Sequence, residues 1–243
     1  MNNIEVIALI YKSTQYLDFI ATELKANCKA AGWDVGIRIV ANDAKPEVIK
    51  KLIELDIPYD IYNDKIPNDF YLNRVYRCWN YAGLTSNYDN VCFVNSDMAF
   101  SPGWLDNLLK HYNEHTLPCS RLIESGKMPS GKWGVSKNFG THPNNFNKEA
   151  WLDFAEKIKE DKIEPGGLFM PCILSKDIFR QTAGYPEGNI YTGGIGNYTT
   201  QYIASGDAAY FMALKKHFDI DHVTVFDSVV YHIQEIGRAV QQE

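Results

Sequence analysis

The densest group of chemistry-bearing residues is Asn95-Ser96-Asp97, which closes the apolar, β-branched run Val91-Cys-Phe-Val94. In an extended chain alternate residues face the same way, so Asn95 and Asp97 point together. A short acidic motif of this kind can hold a divalent cation, Mn2+ or Mg2+, that bridges two phosphate oxygens. Taken alone, such a triplet more commonly makes an Asx-type turn, here ahead of Ser101-Pro102. A second carboxylate, Asp207, follows Ser205-Gly206 and precedes the apolar helical stretch Ala208–Leu214. That position suits a helix cap; a carboxylate within reach of a hydroxyl would also accept its proton. Arg74, Arg77 and Asn80 lie at three-residue spacing, with Arg77 and Asn80 on the same helix face as Asn73. An arginine there could clamp a phosphate in two places, although a solvated face is the commoner fate.

Gly126-Lys-Met-Pro-Ser-Gly-Lys132 fits the G-x-x-x-x-G-K pattern of a phosphate-binding loop, but Trp133 follows where a Ser or Thr must bind magnesium. The succeeding residues are not helical either, so a nucleoside-triphosphatase is excluded. The stretch 125–147 reads instead as a functional loop. Within it Trp133 or His142 could meet an acceptor, and Arg121 just before it could reach a diphosphate.

These residues need a scaffold. The chain has 243 residues, 45% of them hydrophobic and 22% charged, an ordinary globular composition. Its net charge of -6 and lack of dense Lys/Arg runs exclude nucleic acid as the expected partner. The five cysteines form no C-x-x-C pair and suit buried, reduced thiols. Neither a basic leader nor a membrane-length apolar run is present, so no membrane span is expected and the compartment expected is cytoplasmic.

Strands are expected at 4–11, 35–40, 59–62 and 90–94, alternating with helices at about 16–32, from Pro46, and at 70–84. Four such alternations predict a parallel sheet covered on both faces. Ligands on such sheets sit beyond the carboxyl ends of the strands, which singles out Tyr11-Lys12, Asn42-Asp43 and Asn95-Ser96-Asp97. The second half is expected to hold helices at 103–112, 148–160 and 206–217, a strand near 118–123, a strand-helix pair at 168–182, a Gly-rich loop at 184–198, and closing strands at 222–233. No internal repeat or linker divides the chain, so 1–243 is read as one domain.

The segment Val91–Leu105, with Asn95-Ser-Asp97 followed by Pro102-Gly-Trp-Leu105, resembles the family 2 glycosyltransferases, which carry Asp-x-Asp and then P-G-W-L. Six further pieces resemble that family in the correct order: Ile4–Leu24, Ile39–Glu47, Asn73–Asn80, Phe179–Gly188, Ser205–Asp207 and Val230-Tyr-His232. The resemblance implies a GT-A (Rossmann-like) α/β fold, with a mostly parallel sheet flanked by helices. Residues 1–100 would form the nucleotide-binding half and 101–243 the acceptor and catalytic half. It implies transfer of a sugar from a nucleotide-diphosphate sugar to a hydroxyl of a glycan or other acceptor, inverting and metal-assisted. Asp207 would be the catalytic base. Asp43 would read the nucleobase, with Tyr11 beside the base or ribose and Asn42, Arg77, Asn80, Asn95, Ser96, Asp97 and Arg121 completing the donor site.

Two acids of the family pattern are replaced, by Asn95 and by Gly206. Asn95 offers a carbonyl oxygen but no charge, which brings His232 into view as a neutral imidazole joining Asp97 on the metal; a hydrogen-bonded structural histidine is the plainer use. The same losses favour, as an alternative, a non-catalytic nucleotide-sugar or carbohydrate-binding protein. A sugar-phosphate nucleotidylyltransferase fits less well, because Ile10-Tyr-Lys-Ser-Thr-Gln15 stands where its Gly/Arg-rich loop should be.

Overall fold

Runs of β-branched residues with no polar break favour strands buried on both faces, and the first half of the chain is built from them. In the computed structural model, which describes residues 2–11, 13–64, 66–67, 71–126, 131–187, 190–191, 202–204 and 206–233, strands β1 (Asn3–Ile10), β2 (Asp34–Asn42), β3 (Tyr59–Tyr62) and β4 (Asn90–Asn95) alternate with helices α1 (Thr14–Asn27), α2 (Pro46–Glu54) and α3 (Tyr71–Thr85). Helix α1 starts where the Ser13 hydroxyl accepts from the Tyr16 amide at 3.3 Å. Helix α2 has proline in its first turn, where no amide hydrogen is needed. The four strands are parallel in the order β3-β2-β1-β4, with Ile10 beside Ala41 and Leu9 beside Asn95. Their carboxyl ends therefore share one rim.

The second half contains β5 (Met98–Phe100), α4 (Trp104–Lys110), β6 (Thr116–Glu124), β7 (Val135–Ser136), α5 (Lys148–Ile158), β8 (Ile163–Pro165), β9 (Cys172–Ser175), α6 (Lys176–Gln181), β10 (Ile190–Tyr191), β11 (Tyr202–Ala204), α7 (Gly206–Phe218) and β12 (Asp221–His232). The main sheet continues β4-β9-β6-β12-β5, with β9 antiparallel to β4 and β6, and β5 antiparallel to β12. The closing strands expected at 222–233 are one strand, whose pairing with β6 shifts between Val225 and Val229. The loop expected at 125–147 contains β7 and a short 3-10 turn at Pro143–Asn145, and Lys127–Ser130 within it lie outside the described residues.

Only Ser96 and Asp97 separate β4 from β5, yet β9, β6 and β12 stand between those strands in the hydrogen-bonding order. Four spacings in a flat sheet would be about 19 Å, whereas three residues of extended chain reach at most about 11 Å. The sheet must curl, and Asp97 sits at the corner where its two halves meet. Both faces are covered. Ile4, Ile20, Val48 and Trp104 pack on one side, and Trp79, Phe93, Phe179 and Tyr210 on the other. All five cysteines are unpaired and four are buried. Among the described residues no helix is long and apolar enough to cross a membrane.

Candidate active site

The rim is assembled by α3, from which Arg74, Tyr76, Arg77 and Asn80 make polar contacts with different parts of the chain. The Asn42 amide donates to the Arg74 carbonyl at 3.5 Å, and the Arg74 guanidinium lies 3.8 Å from Asp43 Oδ2 and over the Tyr11 ring. Tyr76 accepts from the Asp207 amide at 3.3 Å. Arg77 pairs with Asp64 and, at 3.1 Å, with Glu187. Asn80 is engaged at both ends by the Tyr185 backbone, each bond 2.8 Å long.

Asp43 occupies the left-handed region with φ 47°, a conformation that Asp and Asn tolerate better than other side-chain-bearing residues. Its Oδ1 accepts from the Asp64 amide at 2.9 Å. Its Oδ2 and the Asn42 Oδ1 are buried and accept no hydrogen bond from any described residue. A buried oxygen left so is costly unless a ligand donates to it.

At the corner of the sheet Asp97 is 7% exposed, and Asn95 and Ser96 are half-buried. Asp97 Oδ2 lies 3.2 Å from His232 Nε2, while His232 Nδ1 lies 2.9 Å from Glu124 Oε2. Burial alone would lower the imidazole's proton affinity, but the Asp97 and Glu124 carboxylates outweigh it and raise its pKa to about 10. The Ile233 amide also donates to the Asp97 carbonyl at 2.9 Å, stitching the end of β12 to the corner. Both ring nitrogens of His232 thus face carboxylates as donors, rather than one offering a lone pair to a cation. Among the described residues no group of three or more His, Cys, Asp or Glu side chains forms a metal cage.

Asp207 is the second residue of α7, where the helix's positive end favours a carboxylate, and its Oδ1 accepts from the Ala208 amide at 2.8 Å. Ser205, Lys12 and residues 188–189 and 192–198 of the expected Gly-rich loop lie outside the described residues. The Tyr76 phenol is pushed up by burial and by the neighbouring Asp207 carboxylate.

The structure therefore groups Tyr11, Asn42, Asp43 and Arg77 around the first turns of α3, links Asp207 to them through Tyr76, and places Asn95, Ser96, Asp97 and His232 at the adjacent corner. It does not bring Arg121 there. That guanidinium donates to the carbonyls of Trp133 and Ile158 and lies 4.5 Å from the Phe226 ring centroid. Trp133 donates to the Pro165 carbonyl, and His142 caps the short turn at Pro143–Asn145. Sequence reasoning missed Glu124, Asp64 and Tyr76. Glu124 carried a signal, since a carboxylate closes an otherwise buried strand.

No protein-family model and no curated protein sequence matches the chain. Its fold does match solved structures. The S. aureus TarS 1-349 structure in complex with UDP-GlcNAc has a TM-score of 0.58 at 11% identity, over 100% of this chain and 61% of that one. GalNAc-T7, solved with UDP, GalNAc and Mn2+, gives 0.58 at 8% identity over 96% of this chain and 44% of its own. The mannosyltransferase PcManGT from Pyrobaculum calidifontis, with GDP-Man and Mn2+, gives 0.57 at 10% identity over 95% and 56%. The chain spans less than two thirds of each of these proteins. At such identities the likeness is one of architecture, and what it establishes is that this chain has the GT-A glycosyltransferase fold.

Proposed function

We propose that the protein transfers a sugar from a nucleotide-diphosphate sugar to a hydroxyl acceptor. The observation that carries this reading is the shared rim of β2, β1 and β4, which sets Asn42-Asp43, Tyr11 and Asn95-Asp97 side by side beyond the strand ends. The buried acceptor oxygens of Asp43 and Asn42 suit the N–H and O–H donors of a nucleoside. Arg74 and Arg77 stand beside it, paired with Asp43 and with Asp64 and Glu187, and would exchange those partners for phosphate, with the corner at Asp97 next along the rim. The nucleotide sugars bound to TarS and PcManGT, UDP-GlcNAc and GDP-Man, favour the same class of donor.

The residues fit a divalent cation in one mode. Asp97 would hold it together with the donor's phosphates, as magnesium and manganese sites with few protein ligands do, and His232 would join only after giving up its proton. When bound, the cation would offset charge on the departing nucleoside diphosphate. In the transfer itself, the acceptor oxygen forms a bond to the anomeric carbon while the bond from that carbon to the phosphate oxygen breaks. The nucleoside diphosphate leaves with the electron pair, and the acceptor proton passes to Asp207. This single displacement inverts the anomeric centre. Alignment and electrostatics would supply most of the rate enhancement.

The test is a binding screen of UDP- and GDP-sugars, with and without Mn2+ or Mg2+, followed by an assay for transfer or slow hydrolysis of the best binder. Binding with turnover supports the reading. Binding without either reaction points to a non-catalytic nucleotide-sugar-binding protein, and no binding of any donor removes both.

A further inference from the structure

A cavity of about 520 Å³ opens at the opposite end of the sheet from Asp97 and Asp207. It lies at the amino ends of β1, β4 and β6, against the end of β9 and the first turn of α6. Its volume falls within the range of small-molecule sites, about 300–1,000 Å³. Nothing in the proposed transfer chemistry uses it.

Its lining has a definite chemistry. Trp33 and Tyr112 pack on the core and meet at 6.5 Å between centroids with planes 55° apart, giving an aromatic corner. The Tyr112 hydroxyl is fixed by donation to Asn90 Oδ1 at 2.6 Å, and the Asn90 amide in turn donates to the Asn3 carbonyl at 2.8 Å. The Trp33 indole N–H meets no acceptor among the described residues. Around this corner stand the amides of Asn2 and Asn113 and the carboxylates of Glu114 and Asp177. None of the described residues lining the cavity is Lys, Arg or His.

The absence of cationic side chains from this lining, with two carboxylates present, disfavours phosphates, nucleotides and acidic ligands. Asp177 Oδ2 accepts from Gln181 at 2.8 Å and Glu114 lies 3.6 Å from His115, and both carboxylates are exposed, so a polar ligand could share these groups with their neighbours where a purely apolar one would cover them. What remains is a neutral molecule that presents a C–H face to aromatic rings and many hydroxyls to planar amides and carboxylates. We propose that this cavity is a second, non-catalytic binding site for a neutral oligosaccharide. Its position lets a saccharide bind while the donor rim is occupied.

The test uses maltotriose, cellotriose and chitotriose as neutral probes and UMP as an anionic control, titrated into the whole chain by calorimetry. At least one trisaccharide is expected to bind, and saturating UDP should leave that affinity unchanged within about twofold. Trp33→Ala should weaken it at least tenfold and Trp33→Phe, which keeps a ring and loses the N–H, by less. Should Trp33→Ala fail to fold, Asp177→Ala at an exposed position replaces it, with an expected loss of at least threefold. The proposal is overturned if no trisaccharide binds, if UDP or UMP competes with it, or if binding survives both Trp33→Ala and Asp177→Ala.

Discussion

His232 Nε2 stands 3.2 Å from Asp97 Oδ2, so the carboxylate at the corner of the sheet is held by a cation from the last strand. Glu124 completes the arrangement from β6 on the other side of the ring. With its pKa raised from 6.5 to about 10, this imidazole binds its proton more tightly in the folded than in the unfolded chain. Its stabilisation is complete below about 6.5, declines as pH rises, and is lost above about 10. In metal-free buffer the urea midpoint should therefore fall across that window, and His232→Asn should flatten the decline. An unchanged slope in the variant would mean that the imidazole is not the group responsible.

Removing the imidazole also leaves Asp97 and Glu124 facing one another with no charge between them. His232→Ala should cost about 3–5 kcal/mol at neutral pH, the usual loss when one partner of a buried ion pair is deleted. Urea denaturation at pH 7 measures it. A loss below 1 kcal/mol would show that water already screens the pair.

Asp43 offers a buried oxygen and adopts φ 47°, so alanine there would add backbone strain to any loss of binding. Asparagine tolerates that backbone and removes only the charge. Asp43→Asn should weaken UDP or GDP binding about tenfold, as expected for a charge-assisted hydrogen bond worth roughly 1.5–3 kcal/mol, and should lower the melting temperature because Arg74 loses the carboxylate it faces. Equal affinity for nucleotide in wild type and variant would remove Asp43 from the donor site.

For Asp207 the expected split is between turnover and binding. Asp207→Asn should lower kcat by about 10²–10⁴, with donor affinity within a few-fold of wild type. Wild-type turnover in the variant would exclude Asp207 as the base. An equal loss of donor affinity would make it a binding residue instead.

Asn80 spends both ends of its amide on the Tyr185 backbone, in the turn after Gly184 with its φ of 78°. A Cβ on Gly184 would collide with that amide, so the two positions lock each other. Asn80→Ala should destabilise the chain by about 1–3 kcal/mol, the cost of leaving a buried backbone pair unmade. Nucleotide affinity measured well below the melting transition should stay within about threefold. A tenfold loss of affinity without destabilisation would instead place Asn80 on the donor.

The alternation of strands and helices through Asn95 was legible because it rests on local properties. β-branched runs, helical spacing of Tyr16, Leu17, Ile20 and Leu24, and a proline at position 46 act over a few residues and need no partner to be read. The same locality put Tyr11, Asn42-Asp43 and Asn95-Asp97 at strand ends before any register was known. Short β5, β7 and β8 were not legible, since two or three residues carry no period. Their strand character comes from pairing with β12 and β6.

Sequence by itself determined which residue types stand after each strand, because the chain order places them there whatever the packing. Only the tertiary structure decided what those residues face. The parallel register of β12 on β6 sets His232 against Glu124, and the curl of the sheet sets it against Asp97. That trio turns an expected neutral ligand into a cation. The packing of α3 likewise spent Asn80 on a turn and left Asp43 Oδ2 facing Arg74 at 3.8 Å without a hydrogen bond. A side chain's charge and role depend on neighbours that arrive from distant parts of the chain, and burial between carboxylates is a property of that meeting rather than of the residue.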